Sequence, residues 1–432
     1  MSSETQPVDK RQEFLQVFDI VNLKGAKIGV GDVGVTKLRE AGIHDFFAVQ
    51  VRGPTEIKEI LECNDDDAFK IVEYCSNKLV ETGALNKPIF RASEMLTRVV
   101  DHLTSSSVAL DSLLVGGFEA EAVTEIYGEF ASGKTQVCLT LAVNACLPKD
   151  QGGLEGGVLY IDTEHTFKPE RIIEIAKSKG LDPGKVLDNI FVAQPYNFHH
   201  QILILEEAGK HILENNVKLI ILDSIISNPR AEMIGRGQLN AKQQLLNHHL
   251  HILSRTCETY KIVGIVTNQA VGSPDTGPFS GDPTKAAGGN IMAHGTTYRL
   301  KMAKSGKNRI ASMMDSPKHA FSQVKFTVTE AGVVDTDDFK PDKDTVKQRE
   351  DMQLEVKRIV ERSQSSNQEL SSSVVAVKSD LPSIGTMIHE TAPHLEHEHP
   401  TESITIPTDD EANSGTHTAT ESAPLENKKK KK

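Results

Sequence analysis

AVTEIYGEFASGKTQVCLTLAVNAC, residues 122–146, runs from an apolar, β-rich stretch through a short loop into a helical pattern. Its centre, GEFASGKT (128–135), satisfies G-x-x-x-x-G-K-[ST] at every position. The strand–loop–helix setting is the one a phosphate-cradling loop requires. Gly128 and Gly133 let backbone amides wrap phosphate oxygens, Lys134 brings a point charge to the β- and γ-phosphates, and the Thr135 hydroxyl is a ligand for Mg²⁺. The nucleotide-binding stretch is therefore expected to comprise Gly128, Glu129, Phe130, Ala131, Ser132, Gly133, Lys134, Thr135 and Gln136, with ATP and Mg²⁺ as cofactors.

Outward from this loop, apolar runs recur at 122–127, 157–161, 189–193, 218–222 and 262–267, with helical patterns between them. Near-continuous apolar runs separated by crossover helices predict a parallel sheet in an α/β domain. Two of these strands end in acid. KLIILDS places Asp223 at a strand's C-terminal end, facing the phosphate loop, where a carboxylate holds Mg²⁺ through water. YIDTEHTF (160–167) carries Asp162 and Glu164. Glu164 lies just past the strand, in reach of the γ-phosphate, and is the expected general base for water. Asp162 sits nearer the strand and serves either the metal shell or a structural hydrogen bond.

The remaining chain divides by texture. Residues 1–20 are polar and read as a flexible arm. Residues 21–84 carry short helical patterns, with Gly29 and Gly31 in a turn before a helix start, as in a helix-hairpin-helix; there glycines admit a DNA phosphate to the backbone and the helix N-terminus supplies donors. The alternative for this region is a protein-contact module. Residues 85–100 are a linker, 101–340 the ATPase core, and 341–432 a charged tail. That tail, after a short helical pattern at 344–362, is rich in Ser, Thr, Pro, Glu and His, ends in five lysines, and is too poor in apolar residues to offset chain entropy. Protein partners are assigned to it.

The 432 residues carry a net charge of −12, which leaves nucleic-acid binding to local basic patches. The five cysteines lack CxxC spacing and read as reduced thiols, not a zinc site. No run approaches the roughly 18 apolar residues of a membrane span, so the expected setting is cytoplasmic, with no membrane contact.

GEFASGKTQ, YIDTEHTFKPERI, LIILDSI, GRGQLNAKQQLL, VTNQAV, GGNIMAHGTTYRL and DSPKHAF, in this order, resemble the archaeal RadA recombinases and the wider RecA/RadA family of DNA strand-exchange ATPases. The resemblance spans about 20–338. It implies a RecA-like P-loop ATPase core with a central, mostly parallel sheet, preceded by a small all-helical domain. It implies Glu164 as catalytic base, with Lys134, and Gln269 as a sensor joining the γ-phosphate to the following DNA loop. It implies Arg171 against adenine, and Asp315 and Pro317 as a cap over ATP of the neighbouring subunit. Single- and double-stranded DNA would be met by Arg230, Arg236 and Lys242 in a first loop, and by Gly272, Gly288 and Gly289 in a second. Lys242 stands where the family usually has arginine, and Ser273 where archaeal members often do. The family's Phe-x-x-Ala oligomerisation segment aligns with Ala92, but Ile89 holds the phenylalanine position and Phe90 follows one residue late. His165 replaces a family glycine.

The expected function is an ATP-dependent DNA recombinase, assembled as a filament or ring. The alternative is a recombinase paralogue that binds ATP and DNA to mediate another protein's filament; a helicase-type motor matches the later motifs less well.

Overall fold

The computed structural model describes residues 16–340, except 27, 97, 234 and 273–283, together with 354, 355 and 358–360; the expected tail and most of the 344–362 helix fall outside these residues. Three helices lead the described chain: α1 (Asp32–Glu40), α2 (Phe46–Leu61) and α3 (Asp65–Glu81). In α3, Asn64 caps the first turn by accepting from Asp67 N, three aspartates complement the helix dipole, and Ala68, Ile71, Cys75 and Leu79 form the buried stripe. Asp45 caps α2 through Ala48 N at 2.9 Å. The helix breaks at Gly53 (φ 76°), followed by Pro54.

The chain is anchored earlier than the expected arm allows. Phe18 and Ile20 are core residues, and Asp19 bridges to Asp45, so ordered packing starts within the stretch read as flexible. The polar first thirteen residues outweighed the apolar stretch FLQVFDIV (14–21) in a reading based on average composition. In the glycine turn, Gly29 alone takes the left-handed conformation (φ 83°), and both Gly29 and Gly31 have open space where a side chain would stand. After α3 the linker contains one short helix, α4 (Ala92–Met95).

The α/β part begins with two short antiparallel strands, β1 (His102–Leu103) and β2 (Phe118–Glu119). Then come β3 (Val123–Gly128), β4 (Gly157–Asp162), β5 (Ile190–Ala193), β6 (Val217–Asp223), β7 (Val263–Gly272), β8 (Thr284–Ala286), β9 (Tyr298–Ser305), β10 (Asn308–Asp315), β11 (Gln323–Thr329) and β12 (Gly332–Asp335). The sheet order is β12-β11-β10-β9-β3-β7-β6-β4-β5, with β8 on β7. Strands β9, β3, β7, β6, β4 and β5 are parallel, and β10 to β12 extend the sheet antiparallel. The five apolar runs read from sequence become β3 to β7, each within a residue or two except for β7's longer C-terminal end. Four flanking helices matter below: α5 (Lys134–Asn144), α6 (Pro169–Ser178), α7 (Phe198–Glu206) and α8 (Ser227–Glu232). They are followed by α9 (Leu239–Tyr260) and α10 (Gly289–Gly295). From Val137 to Asn144, α5 is buried at every position; its apolar residues demand this, and its two polar ones are hydrogen-bonded, Thr140 to Gln136 O and Asn144 to Thr104 O.

One apolar cluster joins the N-terminal helices to the core. Phe47 stacks on Tyr260 at 5.3 Å, Arg52 pairs with Glu206 at 3.1 Å, and Arg255 Nη2 donates to Gln50 O at 2.5 Å. Gly53 permits the last contact, since a Cβ there would stand 2.9 Å from Arg255 Nη1. All described residues lie in one unit, 1–367; residues 368–432, a second unit, lie outside the described residues.

Candidate active site

The phosphate loop leaves β3 at Gly128, where a side chain would sit 2.3 Å from Met302 O, so only glycine passes. Gly133 (φ 102°) turns the chain into α5, and Ala131 takes φ 60° without being glycine. Lys134 Nζ donates to the carbonyls of Gly128 and Glu129, both at 3.0 Å. Burial holds its ammonium below the usual lysine range, and the nearby Asp223 and Glu164 carboxylates oppose that shift. The Ser132 hydroxyl is buried in the loop with no protein partner among the described residues. Phe130 is fully exposed.

Parallel strands β4, β6 and β7 bring their C-terminal ends beside the loop. Asp223, at the end of β6, is buried and accepts from Tyr160 Oη at 2.9 Å and from Thr267 Oγ1. Burial raises its carboxyl above the ordinary range; hydroxyl donors, Thr135 among them, act against this, and Glu164 adds to it. A buried carboxylate beside the Thr135 hydroxyl is a donor set suited to a hard divalent cation. Glu164 projects past β4. Ser224 Oγ donates to its Oε1 at 2.9 Å and Gln269 Nε2 at 3.5 Å.

Asp162 resolves to the structural alternative: its two oxygens accept from Thr166 N and Phe167 N, at 3.1 and 3.0 Å, and shape the turn that presents Glu164. His165 sits in this turn with φ 54° and its side chain exposed. Lys134, Thr135, Glu164, Asp223 and Gln269 line one cleft of about 580 Å³. Arg309 of β10 lines it too and lies against Gly133. Sequence reading missed Arg309; only its basic character within a β-rich run hinted at it.

Arg171, on α6, is not part of that lining. Its guanidinium donates to Gln136 Oε1 (3.0 Å), Glu174 Oε2 (2.7 Å) and the carbonyls of Thr329 and Glu330, stitching α6 to the β11–β12 turn. Asp315 and Pro317 are exposed and do not line the cleft of their own chain.

Arg230 and Lys242 line a second cleft of about 680 Å³ with Gly288 and Gly289. Lys242 lies below the usual lysine range, through burial and the neighbouring Arg230. Arg230 Nη1 donates to Gln269 Oε1 at 2.6 Å. Gly272 ends β7 in open space. Ser273 and the Arg236 side chain lie outside the described residues. In the linker, Ile89 is 87% exposed, Phe90 lies under Arg98 at 5.8 Å, and Ala92 is exposed.

A buried clamp closes the base of the second loop. Glu125, fully buried in β3, accepts from Arg299 Nε and Asn268 Nδ2, both at 2.6 Å. Asn268 Nδ2 also donates to Ala287 O, and Asn268 Oδ1 accepts from Gln269 N, each at 2.7 Å. The lone acid in VTEIY was the available signal for this clamp.

Residues 97–336 match the Rad51 family. The DNA repair and recombination protein RadA of Cenarchaeum symbiosum (strain A) is 46% identical over 327 residues, which cover 75% of this chain and 81% of that protein. Among the described residues, no helix is long and apolar enough to cross a membrane.

Proposed function

From the premise that the chain belongs to the Rad51 family of recombinases, we propose that it is an ATP-dependent DNA recombinase that forms filaments on single-stranded DNA and catalyses homologous pairing and strand exchange. The observation that carries this reading is the convergence of Lys134, Thr135, Glu164, Asp223 and Gln269 on one cleft, with Arg230 reaching Gln269 from the neighbouring one.

In this reading the loop from Gly128 to Gln136 holds the ATP phosphates. Lys134 meets the β- and γ-oxygens, and Thr135 and Asp223 hold Mg²⁺, which when bound neutralises phosphate charge. Glu164 takes a proton from the attacking water, and the Gln269 amide senses the γ-phosphate. Arg171 adjoins the loop through Gln136 and serves the adenine side; Asp315 and Pro317 serve the ATP of a neighbouring protomer. Arg230, Arg236 and Lys242, with Gly272, Gly288 and Gly289, meet DNA phosphates and bases. Ile89, Phe90 and Ala92 carry protomer contact, with Ile89 offering its exposed side chain.

The division of labour follows the expected segments: an arm within 1–20, a DNA- or protein-contact domain at 21–84, a linker at 85–100, the ATPase core at 101–340, and a partner-binding tail at 341–432, in a cytoplasmic setting. Strand exchange by the purified chain, with and without ATP and with no other recombinase present, tests the proposal. ATP-dependent joint molecules are expected. Their absence, with stimulation of another recombinase instead, would establish the mediator reading.

A further inference from the structure

Gln269 stands at the join between the two clefts. Its amide oxygen accepts from Arg230 Nη1 at 2.6 Å, and its amide nitrogen faces Glu164 Oε1 at 3.5 Å. A carboxamide has one accepting and one donating end. A guanidinium presents donors alone, so Arg230 dictates which end faces it and turns the NH₂ group toward the carboxylate. Glu164 Oε1 already receives Ser224 Oγ at 2.9 Å, so two donors crowd the oxygen of the proposed base. Arg230 is exposed and also lines the second cleft, where a DNA phosphate would compete for it.

We propose that Arg230 is a positioning residue that reports DNA occupancy to the water-activating carboxylate. In the DNA-free chain it holds Gln269 with its donor end on Glu164. A DNA phosphate carries a full charge and takes a guanidinium bidentately, so it outbids an amide oxygen. Arg230 then leaves Gln269. The amide turns from Glu164 to the γ-phosphate, where it stabilises developing charge. Turnover is restrained without DNA and released with it. The inference rests on the reading of Glu164 as base and of Arg230 as a DNA contact.

The test measures poly-dT affinity and ATP turnover, without DNA and at saturating poly-dT, for the wild type, Arg230→Ala, Gln269→Ala and the double variant. Arg230→Ala is expected to raise DNA-free turnover about three- to tenfold, the net size of one ordinary hydrogen bond, and to shrink the stimulation by DNA. In the Gln269→Ala background the same change is expected to give no such rise, because the relay is already cut. Unchanged or slower DNA-free turnover in Arg230→Ala, with weaker poly-dT binding, would overturn the relay and leave the recombinase reading intact. A wild type that neither binds poly-dT nor responds to it would overturn both.

Discussion

Glu164 and His165 show how one turn divides its tasks between adjacent residues. Asp162, buried at the strand end, spends both oxygens on the backbone amides of Thr166 and Phe167, which leaves Glu164 directed at the cleft. Glu164→Gln preserves shape but accepts no proton. It is expected to bind ATP normally and to lower turnover by about 10²–10⁴-fold, read by nucleotide titration beside steady-state hydrolysis. His165 occupies the left-handed region that glycine enters without strain. His165→Gly should therefore gain about 1 kcal/mol in urea unfolding. Because the imidazole is exposed, hydrolysis should be the same in variant and wild type at every pH from 6 to 8; a pH-dependent difference would place the ring in the chemistry.

At the scale of elements, the cap of α2 holds a titratable group in an apolar setting. Asp45 is buried between the N-terminal helices and Tyr260. Burial raises its carboxyl to about 6, opposed by the amides of Ala48 and Phe47 and by the Tyr260 hydroxyl. The folded value exceeds the ordinary 3.8, so the folded state binds the extra proton between those values. The associated stability is fully present below about pH 4 and is lost as pH rises through about 6. Asn caps a helix as well as Asp and does not ionise. Asp45→Asn should match the wild type near pH 4 and exceed it by about 1–3 kcal/mol at pH 7, read from urea midpoints at both. No gain at pH 7 would mean that the carboxylate is better solvated than its burial implies.

The same scale shows what the sequence made legible. Strands β3 to β7 were readable because each is a short, nearly unbroken apolar run, and their order along the chain places Asp223 and Glu164 at strand ends. Phe18 and Ile20 were not read as core, because the polar residues before them set the texture of the stretch and FLQVFDIV (14–21) is too short to fix a period. Arg309 and the Glu125–Arg299 pair escaped for a different reason. A charged residue inside a strand reads as solvent-facing, and only the pairing of β3 with β7 and β9 reveals that Glu125 meets its partners in the interior. The Arg230–Gln269 contact joins residues on separate elements, a relation that no local pattern records.

Across the whole described molecule, the helical region and the core share one apolar cluster, with Phe47 on Tyr260 at its seam. Domains that share a core unfold together. Phe47→Ala removes the stacked ring and should cost about 3–5 kcal/mol. Differential scanning calorimetry is expected to show one main transition for these parts in the wild type and two in the variant, the N-terminal helices melting first. A single transition at lower temperature would mean that Arg52–Glu206 and Arg255–Gln50 suffice to keep the parts cooperative.

The lacing of β4 to β6 beyond their last paired residues has a mechanical consequence. Thr163 N donates to Asp223 O, Thr163 Oγ1 donates to Ser224 O, and Ser224 N donates back to Thr163 Oγ1, all within 2.8–2.9 Å. Glu164 and Asp223 are thereby mounted on a single rigid bracket and give up their independent degrees of freedom. The backbone spacing between the two carboxylates behaves as a fixed gauge. Gln269, on β7, takes no part in that lacing and is tied instead to Arg230 and Asn268, so its position is set independently of the gauge.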